Sequence, residues 1–297
     1  MSGAPAEPVV RARGVRKAFG TKTVIDDLNL DVYPGETMVV MGGSGSGKST
    51  TLRMMIGSVR ADRGSIELFG ENICDQTGDS LNRSRKKIGV LFQSGALFNS
   101  MTVAENVALP LVEHTNLDRE IIEIQVKIKL ELVGLREHAD KFPAALSGGM
   151  KKRAGLARAL ALDPRIIFYD EPSAGLDPVT SAEIDRLIID LSKKLGVTSV
   201  VITHEMDSAF AIADRMAMLD KGRILKVAER AWFENVRDSA DTGGLSRDER
   251  LIRQFLRGDA DGPITERKAS TSYEEDLFGI DESVRPRTPS VQATRDM

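Results

Sequence analysis

Apolar positions along the chain fall into short runs with strand character, separated by stretches with helical periodicity. The runs are VVRARGV from Val9, VIDDLNLDV from Val24, ETMVVM at 36–41, KIGVLF at 87–92, RIIFYD at 165–170 and TSVVITH from Thr198. ETMVVM, RIIFYD and TSVVITH are short and nearly unbroken, the pattern of strands buried on both faces of a parallel sheet. RMAMLDKGRILKV from Arg215 reads instead as a hairpin turning at Lys221-Gly222. Between the runs, TLRMMIGSV from Thr51, a long stretch over 101–136, MKKRAGLARALAL from Met150 and SAEIDRLIIDLSKKLG from Ser181 have helical patterns. Asp118 is an N-cap candidate within the second of these, and Gly196 ends the last. Strands alternating with helices predict an α/β fold around a mostly parallel sheet, with an antiparallel part and a helical lobe over about 95–163. No internal repeat is found.

Composition narrows this only a little. The chain has 297 residues, 41% hydrophobic and 29% charged, enough to bury a sizeable core. Its formal charge of -3 comes with no basic stripe, so nucleic acid is not expected as a partner. One cysteine, Cys74, excludes an intrachain disulfide and fits a reducing compartment. The opening MSGAPAEPVV does not read as a signal peptide, and no stretch reaches the ~20 apolar residues of a membrane span. The expected organisation is a loose lead-in at 1–7, a folded domain at 8–258 and a polar, acid-leaning tail at 259–297. Within the tail, Glu274–Ile280 is either a short docking segment or solvated chain.

Chemistry enters at Gly42-Gly43-Ser44-Gly45-Ser46-Gly47-Lys48-Ser49, followed by Thr50. This matches the phosphate-loop pattern G-x-x-x-x-G-K-[ST] between an apolar strand and a helix. Glycines let successive N–H groups turn inward around phosphate oxygens, and the helix N-terminus adds a positive dipole end. Lys48 then reaches the β- and γ-phosphates of ATP, and the Ser49 hydroxyl ligates Mg²⁺. Asp170-Glu171 ends the run RIIFY. Asp170 is placed to hold Mg²⁺ through water, and Glu171 to polarise an attacking water. Ser147-Gly148-Gly149 opens another helix that Ser147 can cap, leaving N–H groups uncovered for a second oxyanion.

Taken in order, the phosphate loop, Gln93 in LFQSGALF, LSGGM at 146–150, FYDEP, SAGLD and ITHE resemble the ATPase subunits of ABC transporters over about residues 8–256. The resemblance implies a P-loop core with a helical subdomain and a homodimer of head-to-tail subunits. Two ATP molecules are then sandwiched between the phosphate loop of one chain and Ser147, Gly148, Gly149 and Asp177 of the other. ATP makes contacts across the seam that ADP cannot, and a differential of about 3–5 kcal/mol switches such a dimer from mostly open to mostly closed. The resemblance also implies adenine stacking on Phe19, although Tyr is commoner there. It gives Gln93 a contact to Mg²⁺ or the attacking water, and His204 a hydrogen bond to the γ-phosphate. His114 and His138 have no ligand-like spacing and are read as surface or packing residues.

Met150 stands where most of the family has Gln. With LFQSGALFNSMTVAENVALPLVEHT and QFLRGDADGPI, it makes the chain similar to the ATPases of Mla-type phospholipid transporters. That implies an integral membrane permease, an MCE-domain lipid-binding protein and a peripheral place on the cytoplasmic face of the inner membrane. The permease is expected to dock a short helix beside residues 93–112. An importer ATPase for an amino acid or ion is the alternative. A translation factor of this class carries two ATPase halves in one chain. A chromosome-organising ATPase inserts a long coiled coil, and the Gln93–Ser147 interval is too short and lacks heptads. A metabolic P-loop kinase lacks LSGG and the His204 motif.

Overall fold

Val10–Phe19 (β1) and Lys22–Val32 (β2) pair antiparallel across a tight turn, with Phe19 opposite Lys22. The computed structural model describes residues 7–239 and 244–265. Contacts divide the chain into two units, one up to Asn235 and one from Val236 onward. In the first unit β1 also pairs with Arg63–Leu68 (β4), whose far edge carries Glu71–Asn72 (β5), giving the antiparallel order β2-β1-β4-β5. Thr37–Met41 (β3) opens the second sheet and leads through the phosphate loop into Lys48–Met55 (α1). Gly78–Lys86 (α2) precedes Ile88–Leu91 (β6). Helices Val103–His114 (α3), Arg119–Leu132 (α4) and Gly148–Ala159 (α5) follow, packed on one another as the helical lobe.

Ile166–Asp170 (β7), Pro178–Leu195 (α6), Thr198–Thr203 (β8), Met206–Ile212 (α7), Arg215–Asp220 (β9) and Arg223–Glu229 (β10) complete the core. The second sheet runs β10-β9-β3-β8-β7-β6, parallel except for β10. Every residue of β3 and β8 is buried, which accounts for their unbroken apolar reading. The hairpin turns where expected, with Lys221 at φ 45° and Gly222 at φ 80°.

The core lies between the two sheets, and α1 is laid inside it, touching β2 and β4 on one side and β7 and β8 on the other. Leu52, Met54 and Met55 are all about 1% exposed. Burying each such side chain stabilises by about 1.5–3 kcal/mol, so the helix that follows the phosphate loop is clamped from both sides.

The helical stretch 101–136 is two helices, α3 and α4. α3 stops at His114, Thr115 turns extended while its hydroxyl donates to Leu111 O (2.7 Å), and α4 restarts after Asp118. Asp118 occupies the N-cap position, but its side chain makes no capping hydrogen bond. Ile121, Ile124 and Ile128 leave an exposed apolar stripe one heptad long on α4, with Leu117 ahead of its N-cap, so no heptad repeat forms.

Arg230–Asp238 (α8) leads toward the second unit, whose helix Arg247–Arg257 (α9) has a capping box between Ser246 and Glu249 and ends on Gly258. Gln254 is buried there and holds the turn that follows: its Nε2 donates to Asp259 O (3.1 Å), and its Oε1 accepts from Ile264 N (2.7 Å). Residues 1–6 and the segment Glu274–Ile280 lie outside the described residues. No helix among the described residues is long and apolar enough to cross a membrane.

Candidate active site

Strands β3, β8 and β7 lie side by side, and their C-terminal ends come level: Met41 pairs with Thr203, and Ile202 with Asp170. β6 extends the row, with Leu91 opposite Tyr169. The chain leaves the sheet at Gly42, His204, Glu171 and Phe92 along one edge, on strands about 4.8 Å apart. Open α/β sheets bind ligands at this edge. Four segments far apart in sequence therefore meet because four short apolar runs are parallel and in register.

The phosphate loop is shaped by what surrounds it. A Cβ on Gly42 would lie 2.2 Å from Leu219 O, and one on Gly47 would lie 2.6 Å from Ile25 Cδ1 with the backbone at φ 108°. Glycine is required at both places. Gly222 N donates to Ser46 O (2.9 Å), so the β9–β10 turn braces the loop. Lys48 is buried, and its Nζ donates to Gly42 O (2.7 Å) and Gly43 O (3.1 Å). Burial pushes the Lys48 ammonium below its ordinary range, while Glu171 and Asp170 pull it back up. Beside it opens a cavity of about 530 Å³ lined by Lys22, Thr23, Val24, Lys221 and residues 45–50. Three lysines and no carboxylate line it, and the buried Ser46 Oγ has no hydrogen-bond partner. An oligophosphate fits those groups.

Asp170 is half-buried at the end of β7. Burial first, then the charge of Glu171, raises its carboxyl above the usual range, against Arg53, Lys48 and Lys152. Together with the Ser49 hydroxyl at the cavity and the Gln93 amide past β6, this is an oxygen-only donor set. Mg²⁺ takes oxygen ligands, few of them from protein when phosphates share its shell, so the residues fit that ion. No cluster of three or more His, Cys, Asp or Glu suited to another metal occurs among the described residues.

Glu171 is buried, with φ 50°, and is held from several directions. Its N–H donates to Ile202 O (2.8 Å) and its Oε1 pairs with His204 Nδ1 (2.8 Å). Its Oε2 accepts from His204 N (3.3 Å), and its carbonyl accepts from Lys152 Nζ (2.9 Å). The His204 side chain is 57% exposed, so one face of the imidazole is open. Such a pair can hold a carboxylate in place and share a proton with a group on the solvent side.

The other sequence-derived residues sit apart from the cavity. Ser147, Gly148 and Gly149 are not among its lining residues. They form the N-terminus of α5, where Ser147 Oγ accepts from Met150 N (3.3 Å). Asp177 is exposed and caps α6, accepting from Val179 N, Thr180 N and Thr180 Oγ1, with Thr180 first in lowering its carboxyl. Phe19, 52% exposed, ends β1 opposite the cavity residue Lys22, with Lys17 Nζ 5.3 Å from its ring centroid. Sequence reading missed Lys22, Thr23, Val24, Lys221 and Lys152. The first three reach the cavity from β2 and Lys221 from a hairpin tip, and no local motif marks them. His114 is exposed and lines a separate groove, and His138 is half-buried.

The family profile described as ABC transporter matches residues 25–174. The probable ribonucleotide transport ATP-binding protein mkl of Mycobacterium leprae is 41% identical over 274 residues, which cover 91% of this chain and 76% of that one. The intermembrane phospholipid transport system ATP-binding protein MlaF of Escherichia coli K12 is also 41% identical, over 270 residues that cover 91% of this chain and 96% of that one. Among solved structures, the ATP-binding cassette MJ0796, as a dimer in a post-hydrolysis state bound to ADP and Pi, matches with TM-score 0.69 and 31% identity over 74% of this chain and 98% of that one. With a phosphate loop, a buried carboxylate and a histidine meeting at one sheet edge, this chain belongs to the ABC transporter family as an ATP-binding and ATP-hydrolysing subunit.

Proposed function

We propose that this chain powers the movement of phospholipid or a related lipid between membranes. It works as a homodimer on the cytoplasmic face of the inner membrane, with a separate permease and an MCE-type lipid-binding protein. The observation that carries the chemistry is the Glu171–His204 pair at 2.8 Å, on strand ends next to Lys48. For the cargo, support comes from the likeness to MlaF, which extends over 96% of that protein.

Each residue has a task in this reading. Residues 42–50 wrap the phosphates with backbone N–H groups, and Lys48, released from Gly42 O and Gly43 O, reaches the outer phosphates. Phe19 stacks on adenine. Ser49, Asp170 and Gln93 hold Mg²⁺ directly or through water, and the ion supplies charge neutralisation on the phosphate oxygens. Glu171 orients and deprotonates the attacking water, and His204, fixed through Nδ1, turns its open face toward the γ-phosphate. Ser147, Gly148, Gly149 and Asp177 complete the partner's site across the seam. A groove of about 360 Å³ lined by Arg85, Phe92, Pro110, His114 and Arg158 receives the permease helix, close to the exposed ring of Phe98.

The mycobacterial relatives' name keeps a second reading open, that of a transporter for a small polar solute such as a ribonucleotide. One experiment tests both parts. A Glu171→Gln complex, purified with its membrane partners, should keep ATP affinity, lose about 10²–10⁴ in turnover and accumulate the closed state, read by cross-linking across the seam. Phospholipid should co-elute in mass spectrometry. Near-normal turnover removes Glu171 from the base role. A bound ribonucleotide without lipid moves the cargo to the second reading.

A further inference from the structure

Helix α5 carries one charged side chain that its position does not explain. Lys152 is 5% exposed, among the buried Ala154, Gly155, Leu156 and Ala157 of the same helix. Taking an ammonium out of water is costly unless something specific receives it. The receiver is a single backbone atom, the carbonyl of Glu171, at 2.9 Å. Burial depresses the Lys152 ammonium, and Glu205, Glu171 and Asp170 favour its charge. A methionine would fill the same length of space with no ion to desolvate, so packing alone does not call for lysine here.

The geometry on either side gives the contact a purpose. Ser147, Gly148 and Gly149 form the first turn of α5, and Lys152 lies one turn further on. At the far end of the helix, Arg158 donates to Ala96 O (2.8 Å) and Gly95 O (3.2 Å), just after Gln93. α5 is therefore a short rigid bar tied at its start to the 147–149 segment, in its middle to Glu171 and at its end to the Gln93 loop. Glu171 sits in a left-handed backbone conformation (φ 50°) that costs a non-glycine residue free energy and persists only when its surroundings over-determine it. Its N–H and carboxylate are held by β8 and His204, and its carbonyl by Lys152 and, at 3.3 Å, by Ala174 N.

We infer that Lys152 is a positioning residue that links the 147–149 end of α5 to Glu171, so that nucleotide bound against one chain's helix end sets the carboxylate of that same chain's own site. This rests on the proposed roles of Glu171 and of residues 147–149. When the partner's γ-phosphate draws the N-terminus of α5, the bar moves, and Lys152 carries that motion to the Glu171 backbone. Each chain thereby senses the nucleotide it does not hydrolyse.

The test compares Lys152→Met, Lys152→Arg and Glu171→Gln in the full chain with its membrane partners. Lys152→Met should lower kcat about tenfold or more while the ATP Kd, read by calorimetry, stays within about twofold. The Hill coefficient for ATP should fall toward unity, and Lys152→Arg, which keeps a long cationic donor, should recover kcat to within about threefold of wild type. Turnover within twofold of wild type for Lys152→Met, a Kd that loosens in step with kcat, or an Arg variant as slow as the Met one each overturns the proposal. If neither variant melts cooperatively, Lys152 is structural and the proposal also fails. Glu171→Gln separates the layers. Normal turnover in that variant overturns the base role beneath the proposal, whereas a dead Glu171→Gln beside a normal Lys152→Met overturns the link alone.

Discussion

Gly42 has a backbone carbonyl where a side chain would begin: a Cβ there would lie 2.2 Å from Leu219 O and 2.8 Å from Ser46 Oγ. Its neighbour Gly43 has nothing within 4 Å. The two glycines of one motif thus serve different ends, one for packing of the loop on β9 and the other for what the loop wraps. Gly42→Ala should therefore destabilise the nucleotide-free protein by about 1–3 kcal/mol in urea titration, while Gly43→Ala should stay within about 0.5 kcal/mol. Equal effects from the two would remove the packing explanation. The pattern G-x-x-x-x-G-K-[ST] names both positions but does not distinguish them. The residues that carry phosphate chemistry were legible because one motif fixes their spacing. Lys22, Lys221 and Lys152 were not, because only β1–β2 pairing, the β9–β10 turn and the packing of α5 bring them in.

At the scale of elements, the approach to α3 depends on one buried amide. Asn106, fully buried, donates through Nδ2 to Phe98 O (3.1 Å), Met101 O (3.2 Å) and Thr102 O (2.9 Å), and its Oδ1 accepts from Phe98 N (2.8 Å). The Thr102–Glu105 capping box fixes the next step of the chain. Asn106→Leu would keep most of the volume and strand Phe98 N and Met101 O, while Phe98 O and Thr102 O keep Met101 N and Asn106 N, at a cost of about 2–3 kcal/mol. Hydrogen exchange should quicken at the Phe98 amide more than at amides within α3, and uniform quickening would place the loss elsewhere. Elements of this kind were only half visible in the sequence. Buried strands β3, β7 and β8 and the hairpin β9–β10 stood out because continuous burial and a Lys-Gly turn leave direct marks. The break between α3 and α4 left one mark, the N-cap candidate Asp118, because both helices carry similar periodicity. α2, polar and starting at a Thr77–Ser80 capping box, offers no apolar stripe to read.

For the whole molecule, the cavity beside Lys48 draws no lining residue from 147–149. In the proposed homodimer a two-fold related copy supplies that half of the site. Lys48→Ala breaks the phosphate loop, and Ser147→Glu places a negative charge at the helix end meant for phosphate. A homodimer of either variant then has both sites broken. In a dimer made of one chain of each kind, both defects fall in the same site, and the other site is assembled from an intact loop and an intact helix end. Mixing the two inactive variants and allowing exchange should restore about a quarter of wild-type turnover: half the dimers are then mixed, each with one working site of two. Partial coupling between the two sites lowers the recovery but leaves it above that of either variant alone. A mixture as inactive as its components, with exchange confirmed by a tag on one chain, would mean that a mixed dimer holds no working site, which removes the shared-site account unless one dead site silences its neighbour.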